Sequence, residues 1–595
     1  MSAEPQPAAG QHTWLRPVLW GLLGVVALLV ILGAYLAYLA FDAKSQLEDA
    51  RSHASAAKSA LLAGDADKAQ AEAVAANSAA AAADHRTSNV VWSAAAGIPW
   101  LGVPLASTHQ MTGAVADLTS EVLVPSARLA DTIGLRHLIG SGDTPNLRAL
   151  RAASPQLTAI SAQAAAINNR VMGINGSWLG PVADAQHQLA DQVGQTARFI
   201  DGTAVAAQLA PGMLGVDGPR GYFLALQTPA EARGTGGLVG AVAGFTFTDG
   251  RFATDRITSN THLENPSRPQ LDLGPGFNDL YSWTRPYTDS RNSNISPNFP
   301  DAARIWLANW EAQTGRQLDG AIAIDPVALS YVLQVTGPVT LPDGEKITAD
   351  NVVPITLSTS YQRFAADNAA RKLYLQTIAK AAVEQMSSSK ADTNALLKAL
   401  GRAVSERRIM VYSTRPDEQK LLETTQLGHQ IPDSTAPYAD VTVGNVAGNK
   451  IDYYLKRDIS YTAGTCTGDH RTSTITVRLT NTLKDLSLPS YVIGSSGAPD
   501  ANLAPGTNFA NVQFTVTKGA TVQTFTVDNG PAIYWEGNLD GHPVAVTQVR
   551  IPPGQTSTVV LTLQEPTSAH GKAQVPVQPL VDTPKVAIDV PECGK

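Results

Sequence analysis

Between Pro17 and Phe41 the chain carries no Asp, Glu, Lys or Arg, and the body of this stretch, LWGLLGVVALLVILGAYLAYLAF, is almost wholly apolar. As a helix rising about 1.5 Å per residue it would match a bilayer core of roughly 30 Å. A secretory leader usually has an apolar region of only about 7 to 15 residues before a small-residue cleavage site. The stretch therefore predicts an uncleaved, single-pass transmembrane helix over residues 17–41, with residues 1–16 as a cytoplasmic tail. Trp20, Tyr35 and Tyr38 fall near its ends, where interfacial aromatics concentrate. Arg16 is the only Lys or Arg before it, while Lys44, Arg51 and Lys58 follow. This reverses the usual positive-inside bias, but long domains translocate largely regardless of such charges.

After Phe41 the periodicity changes twice. Residues 42–210 are rich in Ala, Gln, Asp and Ser, with apolar residues at helical spacing, as in Leu118, Val122, Pro125, Leu129 and Ile133. Breaks at Gly64-Asp65, Gly97 to Pro104, Gly140 to Pro145 and Gly180-Pro181 predict roughly five antiparallel helices, an α-helical bundle stalk. Its Ala-rich surfaces suit a spacer, and a partner-binding role stays open.

Residues 211–430 alternate strand and helix and predict an α/β core. Tyr222 to Leu226 and Leu238 to Phe247 read as strands, the second closing on the turn Asp249-Gly250. Ala321 to Ile324 reads as a buried strand, Asp325 as an N-cap, Pro326 as the first helical residue, and Gly337-Pro338 as the stop. Arg371 to Met386 is a helix with Leu375, Ile378, Ala382 and Met386 on one face, and Arg408 to Tyr412 is a strand. Residues 431–572 change to short alternating segments with Gly and Pro turns, which predict a C-terminal β-sandwich. Residues 573–595 read as an extended tail. The fold class expected is thus multidomain.

With net charge -7 and no basic stripe, the chain does not suit nucleic acid. It has no phosphate loop, no His-Glu-x-x-His and no Gly-x-Ser-x-Gly elbow. Its 11 histidines are scattered singly, and its 2 cysteines, Cys466 and Cys593, suit one disulfide or two free thiols. What remains are carboxylates and arginines in the core: Glu231, Arg233, Arg285, Asp289, Arg291, Asp301 and Asp325. Asp325 is explained as an N-cap and Asp301 as a first-turn charge on the helix dipole. Glu231 and Arg233 precede Gly234-Thr235-Gly236-Gly237, where successive N–H groups could form an anion nest beside a forked cation. The same residues also describe a tight turn stapled by an ion pair, and such pairs imitate functional sites.

The Gln227 to Gly237 stretch, QTPAEARGTGG, is followed by SRNSNISPNFPDAA, LDGAIAIDPVALSYVLQVTGPV and RKLYLQTIAKAAVEQM. In order and spacing these resemble the DUF-4012 family of membrane-anchored envelope proteins. Two departures stand out: Thr228-Pro229 replaces an expected Asn, and Asn298 stands where an Asp usually precedes Phe-Pro. The core, Asp319 to Val339 with the Arg371 helix, is more distantly similar to the LytR-CpsA-Psr family. Members of that family transfer glycopolymers from a polyprenyl diphosphate carrier to the cell wall, using arginines and a magnesium-binding carboxylate.

That likeness implies that Arg233, Arg285 and Arg291, with Gly234, Gly236 and Gly237, hold a diphosphate. It also implies that Glu231, Asp289 or Asp301 faces Mg, which favours oxygen ligands. The resemblances imply a membrane-anchored, extracytoplasmic protein of cell-envelope assembly that binds or transfers lipid-diphosphate-linked glycans or a cell-wall polymer. Any enzymatic activity would be glycopolymer phosphotransferase-like. The alternative is a non-catalytic envelope scaffold or partner-binding protein. In an oxidising compartment Cys466 and Cys593 would be joined.

Overall fold

The computed structural model describes residues 15–63, 65–133, 147–388 and 391–593. Its chain divides into two compact units, Met1–Arg136 with Arg148–Gln208, and His137–Leu147 with Leu209–Lys595.

The first unit is helical: α1 (Leu15–Ala63), α2 (Ala66–Thr87), α3 (Val90–Ala96), α4 (Val103–Asp117), α5 (Val124–Ile133), α6 (Leu147–Met172) and α7 (Gly180–Met213). A π-helical turn, Leu118–Leu123, joins α4 to α5. Along α2 the side chains of Ala69, Ala73, Ala76, Ala80 and Ala83 are buried, the three-to-four spacing of one helix face. Methyl-sized side chains let α1 and α4 approach closely, and polar pairs fix the register. The Asp42 carboxylate accepts from Arg86 Nε at 2.6 Å, and the Thr87 and Thr112 hydroxyls lie 2.6 Å apart.

The expected transmembrane helix over residues 17–41 is corrected here. This stretch is not an element of its own but opens the 49-residue α1, which runs on through Asp42, Lys44 and Glu48. The side chains of residues 1–29 lie outside the described residues. Among the described residues no helix is long and apolar enough to cross a membrane.

The second unit opens on a mixed sheet of β1 (Arg220–Arg233), β2 (Gly236–Thr248), β3 (Arg251–Thr254), β4 (Thr258–Ser259), β5 (Gly320–Ile324) and, after the short β6 (Val339–Thr340) and β7 (Lys346–Ile347), β8 (Ile409–Ser413). The strand order is β3-β2-β1-β5-β8, with β4 beside β2. β1 and β5 are parallel, Leu224 opposite Ile322, and the other neighbours are antiparallel. Asp249 and Gly250 both take positive φ in the β2–β3 turn, the geometry that Asp-Gly hairpins favour. β1 continues to Arg233 because its pairing with β2 shifts register between Thr228 and Ala232, so Glu231 and Arg233 lie in a bulged strand end rather than a loop.

The helices here are α8 (Pro275–Tyr281), α9 (Phe299–Thr314), α10 (Pro326–Thr336), the single turns α11 (Val352–Pro354) and α12 (Ser360–Arg363), then α13 (Asn368–Ser388), α14 (Thr393–Ser405) and α15 (Pro416–Leu422). Asp325 caps α10, its carboxylate accepting from Ala328 N at 2.8 Å. Side chains alternate along β1, and Phe223 and Ala225 face α9, where Phe299, Ala302, Ala303 and Trp306 complete a tight core. Leu224, Leu226 and Thr228 point the other way.

The β-rich end is a sandwich of β9 (Ala439–Asn445), β10 (Leu455–Ala463), β11 (His470–Asn481), β12 (Asn508–Val516), β13 (Thr521–Val527), β14 (Gly530–Pro531), β15 (Tyr534–Leu539), β16 (His542–Ile551), β17 (Thr556–Pro566) and β18 (Lys585–Asp589). One sheet runs β14-β13-β17-β11-β10-β18 and the other β15-β16-β12-β9, enclosing Tyr461, Phe514, Leu561 and their neighbours. The C-terminal tail is not free: β18 pairs in parallel with β10, and Cys593 is bonded to Cys466 with the Cα atoms 5.5 Å apart. On its way the tail seals the seam between core and sandwich, where Gln578 Nε2 donates to Arg233 O at 2.7 Å and Arg408 Nη1 donates to Leu580 O at 3.0 Å.

Candidate functional site

The second face of the core sheet is covered by helices that stand back from it. Between them lies a cavity of about 750 Å³, within the range of small-molecule sites. Its floor is Leu224, Leu226, Ile322 and Ile324 from β1 and β5, with Phe245 and Phe247 from β2. Its roof is Leu375, Ile378, Ala379, Ala382 and Met386 from α13, with Leu396 and Leu400 from α14. Leu226, Phe245, Ile322 and Ile324 are only partly buried although they sit on a covered sheet. Facing apolar stripes that fail to meet leave dispersion contacts unmade, and an apolar guest would supply them.

The cavity wall carries one lysine, Lys372, in the first turns of α13. Its Nζ lies 3.4 Å from Asn260 Oδ1, and among the described residues no carboxylate pairs with it. Burial pushes the Lys372 ammonium below its ordinary pKa, and repulsion from Arg371 and Lys450 adds to the shift.

Arg371 is buried between two aromatic rings, its guanidinium carbon 4.4 Å from the Tyr361 centroid and 4.5 Å from that of Tyr491. It donates to Asn368 Oδ1 through Nη2, while its Nε has no acceptor. Lys450 Nζ lies 5.0 Å from the same Tyr491 ring and is hydrogen-bonded to Glu231 Oε2. Glu231 Oε1 also takes Arg233 Nη2 at 2.9 Å. Burial alone would raise the Glu231 carboxyl, but Lys450 and Arg233 outweigh it and hold the pKa below the ordinary value. Arg233 and Lys450 thus share the Glu231 carboxylate, while Arg371 and Lys372, which repel each other nearby, have no carboxylate partner among the described residues. Buried charge without a counter-charge is expensive, and an anion delivered to this place would relieve it.

The residues singled out from sequence fall around this cluster unevenly. Arg233 spends its donors inside the fold: Nε on Arg291 O at 2.9 Å, Nη1 on Ala232 O at 2.9 Å and Asn445 O at 3.3 Å, and Nη2 on Glu231. Gly234 has no room for a side chain, since a Cβ would lie 2.3 Å from Ile295 O, and at Gly237 one would lie 2.3 Å from the Thr228 carbonyl carbon. Gly236, at φ 126°, faces Gln227 and Pro579. The glycines admit neighbouring protein backbone.

Arg291 is exposed and grips Asp289 through Nε and Nη2 at 2.9 and 2.7 Å. Arg285 takes a left-handed φ of 55° at the end of a short 3-10 turn, and its carbonyl accepts from Asp289 N at 2.8 Å. Asp301, in the first turn of α9, accepts from Ser296 Oγ at 2.7 Å, and burial pushes its pKa up to about 7. Glu231, Asp289 and Asp301 therefore take separate partners. Among the described residues no three His, Cys, Asp or Glu side chains come together as a metal site.

Sequence reasoning passed over Lys372, Arg371 and Lys450. A signal was present, since the apolar face of the Arg371 helix was recognised and all four of its residues line the cavity.

Neither a curated protein nor a solved structure matches the chain, so the likeness to the LytR-CpsA-Psr family rests on the quoted residues alone. Residues 217–361, from the start of the core sheet to Tyr361, match the family model described as protein of unknown function (DUF4012), and this supports placing the core in that family.

Proposed function

We propose that the core binds an amphipathic anionic lipid, a polyprenyl diphosphate bearing an envelope glycan, and presents it during cell-envelope assembly outside the cytoplasm. One observation carries this reading: an apolar cavity of about 750 Å³ whose wall holds a partly desolvated lysine that has no carboxylate partner among the described residues. The prenyl chain would lie between β1, β5 and α13, with the phosphates over Lys372 and the fields of Arg371 and Lys450 behind them. A phosphate on a cation in such a site gains charge-assisted contacts of about 1.5 to 3 kcal/mol each. The Cys466–Cys593 disulfide supports an oxidising compartment. Binding is the reading supported.

A second reading, a non-catalytic scaffold of the envelope, is favoured by Arg233, whose donors are spent inside the fold, one of them on Asn445 O of the sandwich. Titration of the full chain with undecaprenyl diphosphate, undecaprenol and inorganic diphosphate separates the two. The lipid-binding reading expects the diphosphate lipid to bind best and Lys372→Ala to weaken it by about tenfold or more. No binding, or equal binding by Lys372→Ala, would leave the scaffold.

A further inference from the structure

We infer that the end of the helical bundle formed by the α3–α4 and α6–α7 connections docks on the surface of a lipid bilayer. This rests on surface residues of the first unit and not on the ligand of the core.

The sequence first isolates the two connections. No Asp, Glu, Lys or Arg occurs from Ser88 to Ala116 or from Val171 to Ala183. Antiparallel packing then brings them to one end, where Trp178 Nε1 donates to Trp100 O at 2.8 Å and the two indoles stack with centroids 5.1 Å apart. Ser107 Oγ donates to Asn175 O at 3.1 Å and ties the same connections again. The apolar side chains there face outward: Val90 is 83% exposed, Trp100 67% and Leu101 56%, with Ile98, Trp178 and Leu179 exposed beside them.

This surface is braced. Trp92, in α3 just before the loop, is buried and donates from Nε1 to Leu105 O at 2.9 Å, so an inward-facing indole anchors the loop that displays the outward ones. Trp100 holds a positive φ of 63°, a strained conformation for a bulky residue. At Gly102 a Cβ would lie 2.2 Å from Ala96 O. The fold accepts strain to place an indole in solvent, a pattern typical of functional surfaces.

What covers this surface is argued from its composition and its neighbour. Protein interfaces carry a polar rim and hydrogen-bonding partners, whereas these connections are free of charge throughout and end in indoles, the side chains enriched at headgroup level in membranes. The Asp42–Arg86 pair places the last turns of the uncharged stretch of α1 at this same end. There Tyr35, Tyr38 and Phe41 are also exposed. Docking of this kind needs no spanning helix, since side chains that enter the headgroup layer contribute binding through the apolar area they bury.

The test mixes the full chain with phosphatidylcholine–phosphatidylglycerol vesicles whose acyl chains are brominated near the glycerol, and reads tryptophan emission. Wild type should be quenched, and Trp100→Phe/Trp178→Phe should lose a distinct part of that quenching while melting like wild type. Trp14 and Trp20 stay in both forms, so the difference reports the bundle end. Adding Val90→Trp to the double variant should restore quenching. Equal quenching of wild type and the double variant, absence of vesicle binding, or Trp100-dependent self-association without quenching would each overturn the inference.

Discussion

Arg371 stacks on Tyr361, its guanidinium carbon 4.4 Å from the ring centroid, and this buried cation has no carboxylate partner among the described residues. Two cation–π contacts of about 0.5 to 2 kcal/mol each hold it against the cost of burial. Arg371→Met should leave the melting temperature of the free protein unchanged or raise it, because an unpaired buried charge is removed. The same variant should bind the diphosphate lipid about tenfold more weakly. A fall in melting temperature with unchanged binding would make Arg371 a structural brace.

Filling the cavity tests its apolar half. Ala382 on α13 points into it, so Ala382→Phe should place its ring in open space with little loss of stability, where a packed core would lose about 1 to 3 kcal/mol. Competition with the prenyl chain should then abolish lipid binding and leave any affinity for inorganic diphosphate intact. Isothermal titration with both ligands reads the two effects separately.

The cationic half has a pH signature. A lysine binds an anion below its pKa, and burial has moved that of Lys372 below the ordinary 10.5. Affinity should be lost on the alkaline side sooner than for an exposed lysine, and Lys372→Arg should extend binding to higher pH. Matching profiles for wild type and Lys372→Arg would remove Lys372 from the headgroup site.

Stability has its own pH dependence through Asp301. Its carboxyl titrates near 7 when folded, against an ordinary value of 3.8, with burial as the main cause. Between these values the folded state holds a proton that the unfolded state has released, so stability is greatest in acid and falls as pH rises toward 7. Asp440, pushed up to about 6 by burial, acts in the same direction. Asp301→Asn should therefore raise stability at pH 8 relative to wild type and flatten the slope between pH 4 and 7, as urea titrations at several pH values would show.

The disulfide closes a loop with sequence separation 127 and holds β18 to β10. Cys466→Ser/Cys593→Ser should cost about 2 to 4 kcal/mol. Hydrogen exchange should show the loss first at Lys585–Asp589, an edge strand whose residues are otherwise exposed.

Local chemistry was legible in the sequence wherever a segment satisfies its own needs. The Asp325 cap with Pro326, the Asp249-Gly250 turn, the alternation of β1 and the apolar face of α13 are each determined by neighbours within a few residues, because capping, turn φ and side-chain period are short-range. The match of residues 217–361 to one family lies in the same stretch. Composition likewise marked the change from helices to a sandwich. Where the partner is distant, sequence was silent or ambiguous. Glu231 and Arg233 looked alike as nest or staple until Lys450 and Asn445 arrived from 219 and 212 residues away to consume them. The uncharged run at 17–41 read as an independent helix, yet it continues into α1, because backbone hydrogen bonding does not stop where composition changes. Above all, the cavity belongs to no segment. Whether the stripes of β1, β5 and α13 meet or stand apart depends on how far α13 is held from the sheet, and only the tertiary structure decides whether apolar faces become a core or a binding site.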